Sequence, residues 1–197
     1  MDLFDAFKTR ESCRAYADRP VEREKLDQIL SAACLAPSAG NGQPWRYVAV
    51  TNKDTLAQLA PLTRVPGINQ WVGQESCIIA VWEHISDCMT ARYGERYVAQ
   101  QWPAMDIGLS VGQLCLAATG LGLGTCILGC FDEEQVKALL DIPAEGRLRL
   151  LITLGYPKEP APPRDKKRLP LDTVVRVMDG VSNTYLADAA QLQPNQF

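Results

Sequence analysis

Between Ile107 and Phe131 the chain carries no charged residue, and this run limits the possible folds more than any other. A continuous apolar helix of that length would cross a bilayer. The run is broken, however: Ser110, Gln113 and Thr119 interrupt it, and Gly120-Leu121-Gly122-Leu123-Gly124 stops a helix. It therefore reads as a buried helix from about Ala104 to Thr119, a turn, and a short buried strand from Thr125 to Leu128. Ile107, Leu109, Val111, Leu114, Leu116 and Ala118 cover more than one face of that helix, so it must be buried in the core or against a second subunit. Gly108 and Gly112, one turn apart, leave room for another backbone to approach.

The rest of the chain supplies what packs around it. Leu26, Ile29, Leu30 and Ala33 lie at helical spacing after Pro20-Val21-Glu22. A short amphipathic helix is expected around Leu3, Phe4 and Phe7. Trp45 to Val50 reads as a strand, Lys53 to Ala60 as a helix with Asn52 as its cap, and Ser76 to Trp82 as a buried strand. Asp132 caps a further helix that ends before Pro143, and Leu148 to Leu154 is strand-like, closing at Gly155-Tyr156-Pro157. Glu83 to Gln101 places Tyr93, Tyr97 and Trp102 among charges, either as a surface helix or as a lid over a pocket. At 197 residues, 47% hydrophobic and 22% charged, the chain suits one well-cored domain, read as residues 1–180 with a tail over 181–197.

Several function classes fall away. A net charge of -3 and a pI near 5.2 give no global field for nucleic acid. The start, Met1-Asp2-Leu3-Phe4-Asp5, lacks the basic and then apolar regions of a secretory signal, which points to the cytoplasm without a membrane partner. Seven cysteines without framework spacing fit a reducing compartment, with no structural disulfides expected. His84 is the only histidine, and Cys126 and Cys130 are not a C-x-x-C pair, so neither a zinc site nor a His-dependent triad is expected. The glycines at 120–124 follow a helix and precede a strand, the reverse of a dinucleotide-binding turn. Cys130-Phe131 stand where a phosphate loop needs Lys and Ser or Thr.

Three stretches carry chemistry instead. In Arg10-Glu11-Ser12-Cys13-Arg14-Ala15-Tyr16, an extended backbone puts Arg10, Ser12 and Arg14 on one side, an arrangement that suits an anion. Pro37-Ser38-Ala39-Gly40-Asn41-Gly42-Gln43-Pro44-Trp45 reads as a tight loop whose N–H groups and amides suit a planar polar ligand. Arg164-Asp165-Lys166-Lys167-Arg168-Leu169-Pro170 is a basic cluster on an otherwise acidic chain, and it follows a proline-rich extended segment.

Together these motifs resemble the nitroreductase family of flavin mononucleotide (FMN) enzymes. The likeness lies in Arg10-x-Ser12-x-Arg14-x-Tyr16, Pro37-Ser38-x-x-Asn41-x-Gln43-Pro44-Trp45, the Asp106-to-Gly124 helix ending in Gly-Leu-Gly-Thr-Cys, and Lys166-x-Arg168-x-Pro170. It spans about Leu3 to Val175. The resemblance implies a three-layer α-β-α fold of the α+β class, intertwined as a homodimer with flavin at the subunit interface. It implies that Arg10, Ser12, Lys166 and Arg168 hold the FMN phosphate and that Arg14 lies near the pyrimidine edge of the ring. Pro37, Ser38 and Asn41 of the partner subunit would contact the ring and ribityl chain, while Leu128 and Gly129 run along the ring near its reactive nitrogen. The best-known members carry Pro and Glu in that last stretch, and some have Ser where Ala39 stands.

The implied activity is hydride transfer from NADH or NADPH through the flavin to a small electrophilic acceptor, such as a nitroaromatic or a quinone. No protein nucleophile or base is required, because the cofactor carries the chemistry. No cysteine pattern for an iron-sulfur cluster is present. The alternatives are a flavoenzyme of the same fold that fragments flavin or removes halogen reductively, and a flavin-binding protein without turnover.

Overall fold

The computed structural model describes residues 1–159 and 164–176. The chain divides into two units, Met1–Pro163 and Arg164–Phe197, each considered by itself. The expected boundary at residue 180 and the tail after it lie outside the described residues.

The first unit runs α1 (Leu3–Thr9), α2 (Arg23–Cys34), a 3-10 turn (Ala39–Asn41), β1 (Trp45–Val50), α3 (Lys53–Leu62), β2 (Cys77–Glu83), α4 (Asp87–Tyr93), α5 (Glu95–Ala99), α6 (Trp102–Gly120), β3 (Gly124–Leu128), α7 (Glu133–Leu139) and β4 (Arg147–Gly155). In the second, a single helical turn, α8 (Leu171–Val174), follows Pro170. The expected caps are present: the Asn52 side chain accepts the Thr55 N–H at the start of α3, and Asp132 accepts that of Gln135 at the start of α7.

Four strands form one sheet in the order β1-β2-β4-β3, every neighbouring pair antiparallel. Successive side chains of a strand face opposite ways, and the core divides accordingly. Cys77, Ile79 and Val81 of β2, with Ile152 and Leu154 of β4, pack against Leu26, Ile29 and Ala33 of α2 and Ile107, Val111 and Leu114 of α6. Ile78 and Ala80, with Leu151 and Leu128, pack against Leu56 and Leu59 of α3 and Val136 of α7. Helices thus cover both faces, giving the three layers of an α+β domain. The register shifts between Val81 and Trp82, which pair with Leu150 and Leu148. Arg149 is the extra residue of this bulge, and its Nε donates to the Glu83 carboxylate at 2.7 Å.

The uncharged run resolves as expected into helix, turn and strand, with α6 beginning two residues earlier than its sequence limit, at Trp102-Pro103. Its burial is one-sided. Ile107, Ser110, Val111, Leu114 and Ala118 face the core, whereas Met105, Gly108, Leu109 and Gly112 form an open stripe at helical spacing, with Leu109 51% exposed. A Cβ added at Gly108 or Gly112 would meet no atom within 4 Å. Helix α1 behaves alike: Ala6 is its buried residue, while Leu3, Phe4 and Phe7 stay exposed, Phe4 to 71%. The apolar side of this amphipathic helix is therefore turned outward. Among the described residues no helix is long and apolar enough to cross a membrane.

Candidate functional site

Residues 10–17 form a strap along the edge of the sheet. Ser12 pairs in parallel with Thr125 of β3, and the Cys13 N–H donates to the Thr125 carbonyl at 2.9 Å. At the other end Ala17 N–H donates to Tyr156 O and Lys158 N–H to Ala15 O. Two glycines permit this approach: a Cβ on Gly124 would lie 2.6 Å from that of Cys13, and one on Gly155 would lie 2.9 Å from the Tyr16 ring. Tyr16 pins the strap from below, its hydroxyl bonded to Cys13 O at 2.9 Å and to Thr153 Oγ1 at 2.7 Å. Burial pushes its phenol far up, so it stays protonated. Arg14 is exposed and Arg10 half-buried, and neither forms an ion pair among the described residues.

Strand β3 links the strap to the other expected ring contact. Ser12 lies beside its second residue and Leu128 is its last, a separation of about 10 Å at strand spacing. Leu128 is buried, its side chain packed into the core. Gly129 is exposed, with nothing within 4 Å of a would-be Cβ. The carbonyl of Cys130, the following residue, accepts from Asn69 Nδ2 at 3.3 Å, and the same amide reaches Thr63 O at 3.0 Å. Asn69 has φ of 58°, a left-handed value that asparagine tolerates better than most residues. Its place beside this stretch was not legible in the sequence.

The Pro37–Trp45 loop is a folded turn. Gly40, Asn41 and Gln43 all have left-handed φ, at 55°, 56° and 43°. The Ser38 hydroxyl accepts the Gln43 N–H at 3.0 Å, and Gln43 Nε2 donates to Asn41 Oδ1 at 3.2 Å. Pro37 is exposed on the same turn. From α6, Asp106 reaches up to accept the Ala39 N–H at 3.1 Å. Asp106 is only 6% exposed, and burial pushes its carboxyl up while the Ala39 bond works against that shift.

Helices α4 and α5 close over this turn, so residues 83–101 are not the plain surface helix that the sequence also allowed. Tyr93 stacks on Tyr97 at 6.1 Å, and Trp102 meets both rings edge-on at 5.8 and 5.9 Å. A Cβ on Gly40 would lie 2.6 Å from the Tyr93 hydroxyl, and one on Gly42 would lie 2.8 Å from both Met89 Cε and the Tyr97 hydroxyl. That last hydroxyl is buried without a hydrogen-bond partner among the described residues. Burial first, and then the Asp106 charge, push its phenol up to about 12.

Lys166 and Arg168 belong to the second unit, where Arg168 Nη1 donates to the Lys167 carbonyl at 2.8 Å. In the first unit a cavity of about 350 Å3 is bounded by Arg19, Lys53, Leu56, Glu75 and Ser76 among others, and none of the candidate residues lines it. The site residues thus fall into two groups within that unit. Ser12, flanked by Arg10 and Arg14, pairs with Thr125 of β3, and Leu128 and Gly129 lie at the end of that strand; Pro37, Ser38 and Asn41 sit on a turn anchored to α6. Asp106 was visible in sequence only as the start of a helix; the signal that marks it is a lone acid on the core side of an apolar helix.

The model of the Nitroreductase family matches residues 7–65 and 63–156. A protein named NADH dehydrogenase from Thermus thermophilus is 31% identical over 201 residues, covering 89% of this chain and 95% of its own. One named FMN reductase [NAD(P)H] from Bacillus subtilis is 27% identical over 186 residues, covering 88% and 72% respectively. Among solved structures, a nitroreductase family protein from Streptococcus pneumoniae superposes with a TM-score of 0.76 at 28% identity, over 90% of this chain and 100% of that one.

Proposed function

The chain belongs to the nitroreductase family, and on that premise we propose that it is an FMN-dependent oxidoreductase that takes a hydride from NADH or NADPH and reduces a small electrophilic acceptor, a nitroaromatic or a quinone. The observation that carries this reading is the strap: Ser12, between Arg10 and Arg14, pairs with Thr125 of β3, and at the end of that strand a Cβ on Gly129 would meet no described atom within 4 Å. A ligand with an anionic group at one end and a flat ring at the other suits that layout. The names of the relatives from B. subtilis and T. thermophilus support the cofactor and the donor.

In this reading Arg10 and Ser12 hold the phosphate. Arg14 places positive charge at the pyrimidine edge, where it favours the reduced, anionic ring. The backbone of Leu128 and Gly129 borders the ring. Bound FMN supplies the hydride chemistry, accepting from the nicotinamide and donating to the acceptor. The residues of the chain bind, orient and shield; none is asked to carry a proton.

The site is completed by a second copy. The open stripe of Met105, Gly108, Leu109 and Gly112 on α6, with Leu3, Phe4 and Phe7 of α1, is the kind of apolar surface that marks an interface. A homodimer built on it would bring Pro37, Ser38 and Asn41 of the partner subunit to the flavin. Steady-state oxidation of NADH and of NADPH by the FMN-loaded protein, with a quinone and then a nitroaromatic as acceptor, tests the proposal. Turnover with at least one donor and one acceptor is expected. Flavin uptake without oxidation of either donor would contradict the reductase and favour flavin fragmentation or plain flavin binding.

A further inference from the structure

We propose that Asp106 is a positioning residue, whose carboxylate reaches from the first turns of α6 to the Ala39 amide and holds the Pro37–Trp45 turn in the shape that presents Ser38 and Asn41 to flavin. The inference rests on the flavin reading above and adds to it a residue with no contact of its own to the cofactor.

The turn needs an external clamp. Gly40, Asn41 and Gln43 all adopt left-handed φ, which is unfavourable for a residue with a side chain. The bonds inside the turn, Ser38 Oγ to Gln43 N and Gln43 Nε2 to Asn41 Oδ1, tie it to itself, and those from the His84 N–H to Pro44 O and from Arg46 Nη1 to Gln43 O fix its C-terminal end; its first half is left to Asp106. Asp106 Oδ2 accepts the N–H of Ala39, the first residue of the 3-10 turn, at 3.1 Å. That residue stands between Ser38 and Asn41 in the chain. From above, Tyr93 closes on Gly40, and Met89 and Tyr97 close on Gly42.

An acid on the buried side of α6 is expensive to keep. Asp106 is buried, and an apolar residue would serve core packing better. What it supplies that an apolar side chain cannot is an acceptor for one backbone N–H. A hydrogen bond is directional, which suits fixing a turn against a helix that itself lies in the proposed subunit interface.

Three proteins test the inference: wild type, Asp106→Ala and Asp106→Asn, each as the purified full chain. FMN affinity is read by fluorescence titration, exchange of the Ala39 amide by NMR, and assembly and folding by sedimentation and circular dichroism. Asp106→Ala should weaken FMN about tenfold, speed Ala39 exchange and leave the far-UV spectrum unchanged. Asp106→Asn, whose side-chain oxygen can accept the same N–H, should restore both FMN affinity and Ala39 protection to near wild type. Ala39→Pro breaks the bond from the other side, since the first position of a helical turn after an extended residue accommodates proline; it should match Asp106→Ala and carries the test if that variant misfolds. Wild-type FMN affinity in Asp106→Ala or in Ala39→Pro would overturn the inference and leave the flavin reading standing. Equal losses in the Ala and Asn variants would overturn it too, by showing that charge alone matters. A wild-type protein that takes up no flavin would overturn both.

Discussion

The hydroxyl of Tyr16 stands 2.7 Å from that of Thr153, joining the strap that carries Arg10, Ser12 and Arg14 to the C-terminal half of β4. Tyr16 is almost wholly buried, and its hydroxyl also meets the Cys13 carbonyl. Tyr16→Phe should lower stability by about 1–2 kcal/mol, the loss of one or two internal hydrogen bonds. It should also weaken FMN binding, because the strap loses its anchor. Urea denaturation and FMN titration of the same preparation check both effects.

Two glycines of β3 and its end should respond in opposite ways. Gly124→Ala forces a Cβ to 2.6 Å from that of Cys13, and the strap must shift, at a cost of roughly 1–3 kcal/mol. Gly129→Ala meets nothing within 4 Å among the described residues, so the apoprotein should keep its stability while the added methyl intrudes where the ring is proposed to lie. A thermal melt without flavin and an FMN titration separate the two. Loss of stability in Gly129→Ala would remove the space on which the ring position depends.

Acid should loosen the junction of α2 and β4. Glu22 accepts the Tyr156 hydroxyl at 2.6 Å and pairs with Arg19 at 2.7 Å. These bonds, the Tyr156 hydroxyl first, pull its carboxyl from 4.5 down to about 2. A folded-state value below the unfolded one means stability that is complete above about 4.5 and lost as pH falls towards 2. In Glu22→Gln that part of the acid dependence should vanish, so wild type and variant converge at low pH. Denaturation midpoints measured across this range test it, and parallel curves would contradict it.

The stripe on α6 predicts an assembly. Leu109, half-exposed between Gly108 and Gly112, would sit in the centre of the proposed dimer contact. Leu109→Lys should shift the sedimentation mass from two chains towards one and reduce flavin retention with it, leaving secondary structure intact. A dimer unchanged by this substitution would place the interface elsewhere.

Much of this architecture was legible because its signals are local. The turn at Gly120–Gly124, the caps Asn52 and Asp132, and the apolar run Cys77–Val81 each lie within a few residues of the element they specify. Leu128 and Gly129 fell at a strand end for the same reason. What escaped depends on chain segments that meet only in three dimensions. The strand order β1-β2-β4-β3 and the Arg149 bulge follow from pairing rather than pattern. Asp106 finds Ala39 across 67 residues, and Asn69 finds Cys130 across 61. Tyr93 and Tyr97 could be read as surface or lid until Gly40 and Gly42 were found beneath them. Leu3, Phe4 and Phe7 show the limit of the amphipathic argument: it identified a helix and an apolar side, and left open whether that side meets the chain's own core or another surface.

The central claim, a flavin held along β3 and reduced by a nicotinamide, is tested most directly by loading the purified protein with FMN, removing oxygen, and adding NADH and then NADPH in separate runs while the visible flavin bands are followed. Prompt bleaching by at least one donor, slowed or abolished in an Arg10→Ala, Arg14→Ala double variant, is the result predicted. Failure to take up FMN at all, or flavin bands that persist with both donors, would contradict it.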